Sequence, residues 1–282
     1  MTAEPLAPPV RWILLAAAVL VFLAGVQLFV FPLRTDEYFA WTIGSPMTAV
    51  FLGAAYWSAV GLELSAARAD HWAGARIALP TVFLFTSLTF VVTLVHLDLF
   101  HLGADFELRT RVVTWLWLAV YGGVPVLMLL AARSQRRLST AVDPAAGLPT
   151  GIRMVLVALA VVLLVLGTAL LVAPGRFDGA WPWPLTPLTG RAIGAWLVSL
   201  GFGAAHARVI DDPVSVRPLA VTGVVFGVLQ AVALLRHGGE LAWDDPAAWG
   251  YVLGLAVLTG AGAWTWWLGR DRLADPALRP EA

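Results

Sequence analysis

Cysteine does not occur in this 282-residue chain, which excludes disulfide frameworks, thiolate metal sites, iron–sulfur clusters and a cysteine nucleophile. Lysine and asparagine are missing too, so all eighteen basic residues are arginine, a bias that suggests a high-GC bacterial genome. Charge is scarce: 13% of residues are ionised, against about 25% in an ordinary soluble domain. The net charge is zero, so no whole-molecule attraction draws the protein to nucleic acid, and none is expected as a partner. Apolar residues are abundant instead, at 60% of the chain where roughly 45–50% is usual. A soluble fold of this size could not cover that surface. The composition therefore excludes a water-soluble enzyme and points to a multi-span membrane protein whose first partner is the lipid bilayer.

A helix needs about 20 predominantly apolar residues to cross a bilayer. Eight segments meet that length: approximately 12–31, 46–67, 77–98, 111–132, 153–173, 190–208, 217–236 and 248–268. None alternates apolar and polar residues as a barrel strand does. The first has Arg11 before it but is too long for a signal-peptide core, and no small-residue cleavage pattern follows before Pro32. It reads as an uncleaved span. Arg34, Arg109, Arg111, Arg176, Arg191 and Arg236 fall on one side, and the other twelve arginines lie with the two termini. The positive-inside rule then places both termini in the cytoplasm of a bacterial plasma membrane. Tryptophans 41, 181, 183, 243 and 249 mark the outer boundary, and 12, 72, 264, 266 and 267 the inner one.

The chain also resembles itself. At an offset of 141, residues 76–100 align without gaps on 217–241. Seven positions are identical: Arg76/Arg217, Thr81/Thr222, Phe85/Phe226, Leu88/Leu229, Val91/Val232, Leu94/Leu235 and His96/His237. About two or three would arise from composition alone. At an offset of 142, Arg11, Gly25, Pro32 and Trp41 meet Arg153, Gly167, Pro174 and Trp183, and after a one-residue slip Ser45-Pro46 meets Thr186-Pro187. The expected architecture is all-α and integral to the membrane: eight transmembrane helices in two tandem four-helix repeats. Residues 1–133 and 153–282 form the repeats, and a polar, Pro- and Gly-broken connector spans 134–152. An even number of spans per repeat gives both the same orientation, related by a pseudo-twofold axis along the membrane normal. Ser45 and Thr186, each before a proline, read as N-caps of the second and sixth spans. The pairs Gly223/Gly227 and Gly250/Gly254 read as small-residue faces for close helix approach.

Three groups of residues are candidates for chemistry. At the outer ends of the third and seventh spans stand His96, Asp98, His101, Asp105 and Glu107, with His237, Glu240, Asp244 and Asp245 as counterparts. Imidazole and carboxylate can relay protons or ligate a divalent metal, for which His96, His101 and Asp98 are the candidate ligands, although their spacing fits no zinc helix signature. A second group is the stripe Thr86, Thr89, Thr93 and His96 on one face of the third span, with Gly227, Gln230, Leu234 and His237 at the matching positions of the seventh. Such a stripe lines a cleft between repeats or simply packs helices. The third group is Glu63 and His206, near the inner ends of the second and sixth spans. A mid-membrane carboxylate costs about 2.5–3.5 kcal/mol on insertion scales, so Glu63 must be protonated, paired with Arg68 or His206, or in reach of water.

Nucleophile elbows, phosphate loops and dinucleotide fingerprints are absent from the sequence. The four-plus-four plan resembles haem A synthase in helix number, yet the fourth and eighth spans contain no histidine here. Three functions follow, in descending order of support. One is a transporter, or a membrane protein binding a small molecule or lipid, with its ligand in a cleft between repeats. Another is a non-catalytic accessory subunit of a membrane complex. The last is a histidine-liganded haem or metal enzyme. No cofactor is expected under the first two.

Overall fold

The computed structural model describes residues 4–136 and 147–274. The described residues form an all-helical bundle with eight helices long and apolar enough to cross a membrane. They are α1 (Pro8–Val30, its last turn a π-helix over Val26–Val30), α2 (Pro46–Ala67), α3 (Ala78–Val95), α4 (Leu108–Arg136), α5 (Thr150–Val172), α6 (Pro187–Ile210), α7 (Pro213–His237) and α8 (Pro246–Ala274). Five of them start on a proline, which has no N–H to leave unsatisfied in a first turn and a φ already suited to helix. This is why α1, α6, α7 and α8 begin two to four residues before their hydrophobic runs. The predicted connector 134–152 is helical at both edges, and its residues 137–146 lie outside the described residues.

Both predicted caps form. Ser45 Oγ accepts from Thr48 N at 3.0 Å, and Thr186 Oγ1 accepts from Thr189 N at 3.2 Å within a reciprocal capping box. Asp212 caps α7 through Val214 N and Ser215 N.

Four helices are central and four peripheral. In α2 and α6, 72% and 61% of the apolar window is buried, and in α3 and α7 44% and 50%; the outer helices α1, α4, α5 and α8 range from 17 to 33%. Within the first half α1 packs on α2 and α3 on α4; within the second, α5 packs on α6 and α7 on α8. The halves join chiefly where α2 packs on α7 and α3 on α6. In hydrocarbon such packing is held by van der Waals fit and small residues, since lipid offers an apolar surface equal to any neighbouring helix.

Glycine makes the closest approaches. A side chain at Gly53 would stand 2.6 Å from Phe29 N on α1, and one at Gly194 2.7 Å from Leu171 N on α5. Gly25 lies against Trp57 and Gly167 against Val198. Close approaches of this kind suit the glycine-rich 190–208 segment, which is among the most buried of the eight. Gly227 likewise abuts Thr259 of α8, but Gly250 and Gly254 meet nothing within 4 Å. Those two face outward, so the second expected small-residue face does not pack within the chain.

At the face opposite the termini, loops cross-link in a matching way. His101 N donates to Ala40 O at 3.0 Å, and Ala242 N to Pro182 O at 2.9 Å. Short 3₁₀ turns follow α3 (Leu97–Leu99) and α7 (Gly238–Glu240). On the terminal face, Leu6 N donates to Asp70 O at 3.0 Å, and Leu148 N to Asp211 Oδ1 at 3.1 Å. Trp41, Trp181 and Trp183 are buried rather than forming an interfacial belt. Trp183 Nε1 donates to Thr48 Oγ1 at 2.9 Å and so ties the loop before α6 to α2. The belt role falls to exposed rings such as Trp12, Trp243, Trp249 and Trp267.

Candidate functional site

A cavity of about 160 Å³ lies among α1, α2, α3 and α4, with α6 and α7 closing its inner side. Its wall is mostly aliphatic and aromatic. The two exposed residues on it, Leu23 of α1 and Leu116 of α4, stand on adjacent peripheral helices and border its mouth. The opening therefore faces the surroundings of the bundle between α1 and α4. Gln27, in the π-helical turn of α1, reaches the lining; such turns rotate side chains out of regular register.

Inside, the rings form a cluster. Trp117 and Tyr121 lie 4.2 Å apart by ring centroid, Tyr56 and Phe85 5.9 Å, and Phe85 and Tyr121 6.2 Å. The Tyr56 and Tyr121 hydroxyls bond each other at 2.7 Å. The other wall hydroxyls are spent on their own helices: Ser58 on Ala55 O, Thr81 on Ile77 O, Thr86 on Val82 O, Ser199 on Ala195 O and Thr222 on Pro218 O. Trp117 Nε1 donates to Thr93 Oγ1 at 3.0 Å.

Glu63 differs. It is 1% exposed, lines the cavity, and its Oε2 has no hydrogen-bond partner. Neither Arg68 nor His206 pairs with it; His206 packs its ring near Phe202 at 5.8 Å and lies off the cavity wall. Of the candidate residues read from sequence, Glu63 and Thr86 lie on this wall.

The rest are placed elsewhere. Gln230, fully buried, donates through Nε2 to Phe51 O at 3.1 Å and accepts from Tyr251 Oη at 2.8 Å, joining α7 to α2 and α8. Thr89 is buried with its hydroxyl unpartnered, away from the cavity. His96 Nε2 lies 2.8 Å from Arg191 Nη1. Arginine can only donate, so this nitrogen accepts and the imidazole is neutral. Burial and then the Arg191 charge lower the His96 pKa from 6.5, against a smaller upward pull from Asp98. Asp98 itself is exposed. His101 is 2% exposed; its Nδ1–H donates to Phe39 O at 3.0 Å, and Nε2 accepts from Thr42 Oγ1 at 3.0 Å. Burial lowers its pKa from 6.5, partly offset by the Phe39 carbonyl. His237 holds the end of α7 with Nε2 unpartnered. Among the described residues no three His, Asp or Glu side chains converge tightly enough to hold a metal ion. His96 and His101 are each engaged by separate partners, and Asp98 is exposed.

The acidic ends of α3 and α7 act mechanically. Glu240 accepts from Ser45 Oγ at 2.6 Å and from Met47 N at 2.9 Å, placing a carboxylate on the positive end of the α2 dipole. Arg191 bridges His96 and Leu171 O, the latter at 3.1 Å. The Glu240 contacts and the Arg191–His96 contact fasten one half of the chain to the other, while Arg191 and Leu171 O tie α6 to α5.

Tyr56, Phe85, Trp117, Tyr121 and Trp196 were not singled out from sequence. A signal existed: these Tyr and Trp residues sit in mid-span, away from the interfacial belts where such rings usually gather. Comparison with known proteins finds no matching family model, no matching curated relative and no matching solved structure.

Proposed function

We propose that this protein binds a small apolar or lipid-like molecule taken laterally from a bacterial plasma membrane, in the manner of a transporter's binding site. The observation that carries this reading is the 160 Å³ aromatic cavity opening between α1 and α4. An engineered apolar cavity of about 150 Å³ admits benzene, so the space suits one ring or a branched head with a tail trailing outward. The arginine asymmetry supports cytoplasmic termini. The two-repeat plan with a pseudo-twofold axis along the membrane normal is supported by the self-alignment and by the matching helix pairs, glycine approaches and loop bonds of the two halves. The ligand cleft on this reading belongs chiefly to the first repeat, roofed by α6 and α7.

Photoreactive decanol tests the proposal with the protein in phosphatidylcholine nanodiscs. Labelling should map to cavity residues such as Trp117 and Tyr121, and should disappear in Ala59→Trp, which fills the space. Labelling confined to the outward faces of α5 and α8 would overturn it.

A further inference from the structure

The same cavity carries a statement about charge, which rests on its being a ligand site. Among the described residues, Glu63 is the one wall residue with a fully buried polar atom left unpartnered. The Ser and Thr hydroxyls named above donate to their own helices, while the two tyrosines share a single hydrogen bond, which leaves one phenolic O–H and the Gln27 amide as the other polar groups facing this wall. A carboxyl stands in such a wall either as the neutral acid or beside a cation. Arg68, Arg76 and His206, the cationic residues nearest in sequence or on the facing helices, do not line the cavity, and Tyr56 and Tyr121 are the other ionisable groups that do.

The rings point the same way. Tyr56 and Glu63 are seven residues apart on α2, one face and two turns. Helical side chains lean toward the N-terminus, which carries the Glu63 carboxyl back toward Tyr56, Phe85 and Trp117. Aromatic faces attract organic cations, most strongly where water is excluded. A carboxylate beside a cluster of such faces, with an open path to lipid, is a receptor for a positively charged head.

We propose that the cavity binds a lipophilic organic cation, a quaternary or protonated amine of about one ring's bulk, with its charge between Glu63 and the Tyr56–Phe85–Trp117–Tyr121 cluster and its alkyl tail leaving between Leu23 and Leu116. Exchange of the neutral acid for the ion pair returns one proton from the Glu63 carboxyl to water for each cation bound. No covalent bond is made or broken apart from that O–H.

Decyltrimethylammonium, competed against photoreactive decanol in nanodiscs, tests this. It should displace the label, release up to one proton per chain, and lose at least about tenfold in affinity in Glu63→Gln, with partial recovery in Glu63→Asp. Far-UV circular dichroism and thermal unfolding of Glu63→Gln in nanodiscs, close to those of wild type, show that the variant is folded. Equal competition by the cation in both proteins, or competition without proton release, would overturn the cation assignment and leave the cavity reading standing. Absence of decanol labelling from the cavity would remove both. Should Glu63→Gln not fold, proton release in the wild-type protein and preference for the cation over decanol decide the matter.

Discussion

The two halves of the chain pair their helices alike and fill the spaces between them differently. In the first half a 160 Å³ cavity carries an acid and a cluster of aromatic rings. The corresponding space among α5, α6, α7 and α8 measures about 40 Å³ and is lined by Leu156, Leu163, Leu200, Leu258 and similar residues, with Thr265 contributing a hydroxyl. At the 141-residue offset, Tyr56 corresponds to Leu197 and Glu63 to Ala204, which lies on the smaller cavity's wall. The lesson is that a shared helix arrangement supplies the volume, and a few side chains decide whether it becomes a site or a packed interior.

That comparison can be broken at several points. The largest effect should come from the helix approaches both halves share. Gly53→Leu and Gly194→Leu each drive a side chain into the backbone of a neighbouring helix, 2.6 and 2.7 Å from Phe29 N and Leu171 N. Each should cost about 3 kcal/mol or more, read as loss of folded protein in denaturant titration. A harmless outcome in either half would mean that the two scaffolds are not equivalent.

Next, Ala204→Glu places a carboxyl in the second half's apolar space and should destabilise by up to about 2.5–3.5 kcal/mol. Glu63→Leu should do the reverse, stabilising by about 1–2 kcal/mol as an unpartnered polar group is removed, while cation binding is lost. Opposite signs in the same unfolding assay would sharpen the contrast between site and filler.

A pH effect should follow from the first half's loop. His101 is held neutral, with its pKa lowered from 6.5. Its contribution is complete above pH 6.5 and fades as the pH falls below that value toward its lowered folded pKa. The protection factor of the His101 amide, which bonds Ala40 O, should therefore fall in mild acid once the slower intrinsic exchange is allowed for. The equivalent Ala242–Pro182 bond has no imidazole and should stay unchanged. Equal acid sensitivity of the two loops would assign the effect elsewhere.

The smallest change belongs to Gly254→Ala, which meets open space and should alter monomer stability by no more than about 0.5 kcal/mol. A larger loss would show that this outward face is covered by something in the membrane.

The spans were legible because hydrophobic length is a local property, and their starts because Ser45-Pro46 and Thr186-Pro187 carry capping chemistry in adjacent residues. Glu63 was legible as a carboxyl out of place. Its surroundings were not. Gln230, His96 and His237 looked like cleft residues because they share faces of α3 and α7, yet Gln230 is consumed by Phe51 O and Tyr251, and His96 by Arg191. Those partners lie 95 and 179 residues away, or on another helix, and helical periodicity carries no information about them. Trp41, Trp181 and Trp183 looked like interfacial markers because position along a span suggests depth, but burial depends on what the neighbouring loops place over them.

Sequence alone thus determined that the chain builds eight helices long and apolar enough to cross a membrane, and roughly where each begins. Both are set by residues near in sequence. Which helices are central, which half keeps an open cavity, and that Glu63 is left without a partner in its wall were decided by tertiary structure. Each depends on how side chains from six different helices fill one volume, and packing is a property of the whole set that no single stretch of chain contains.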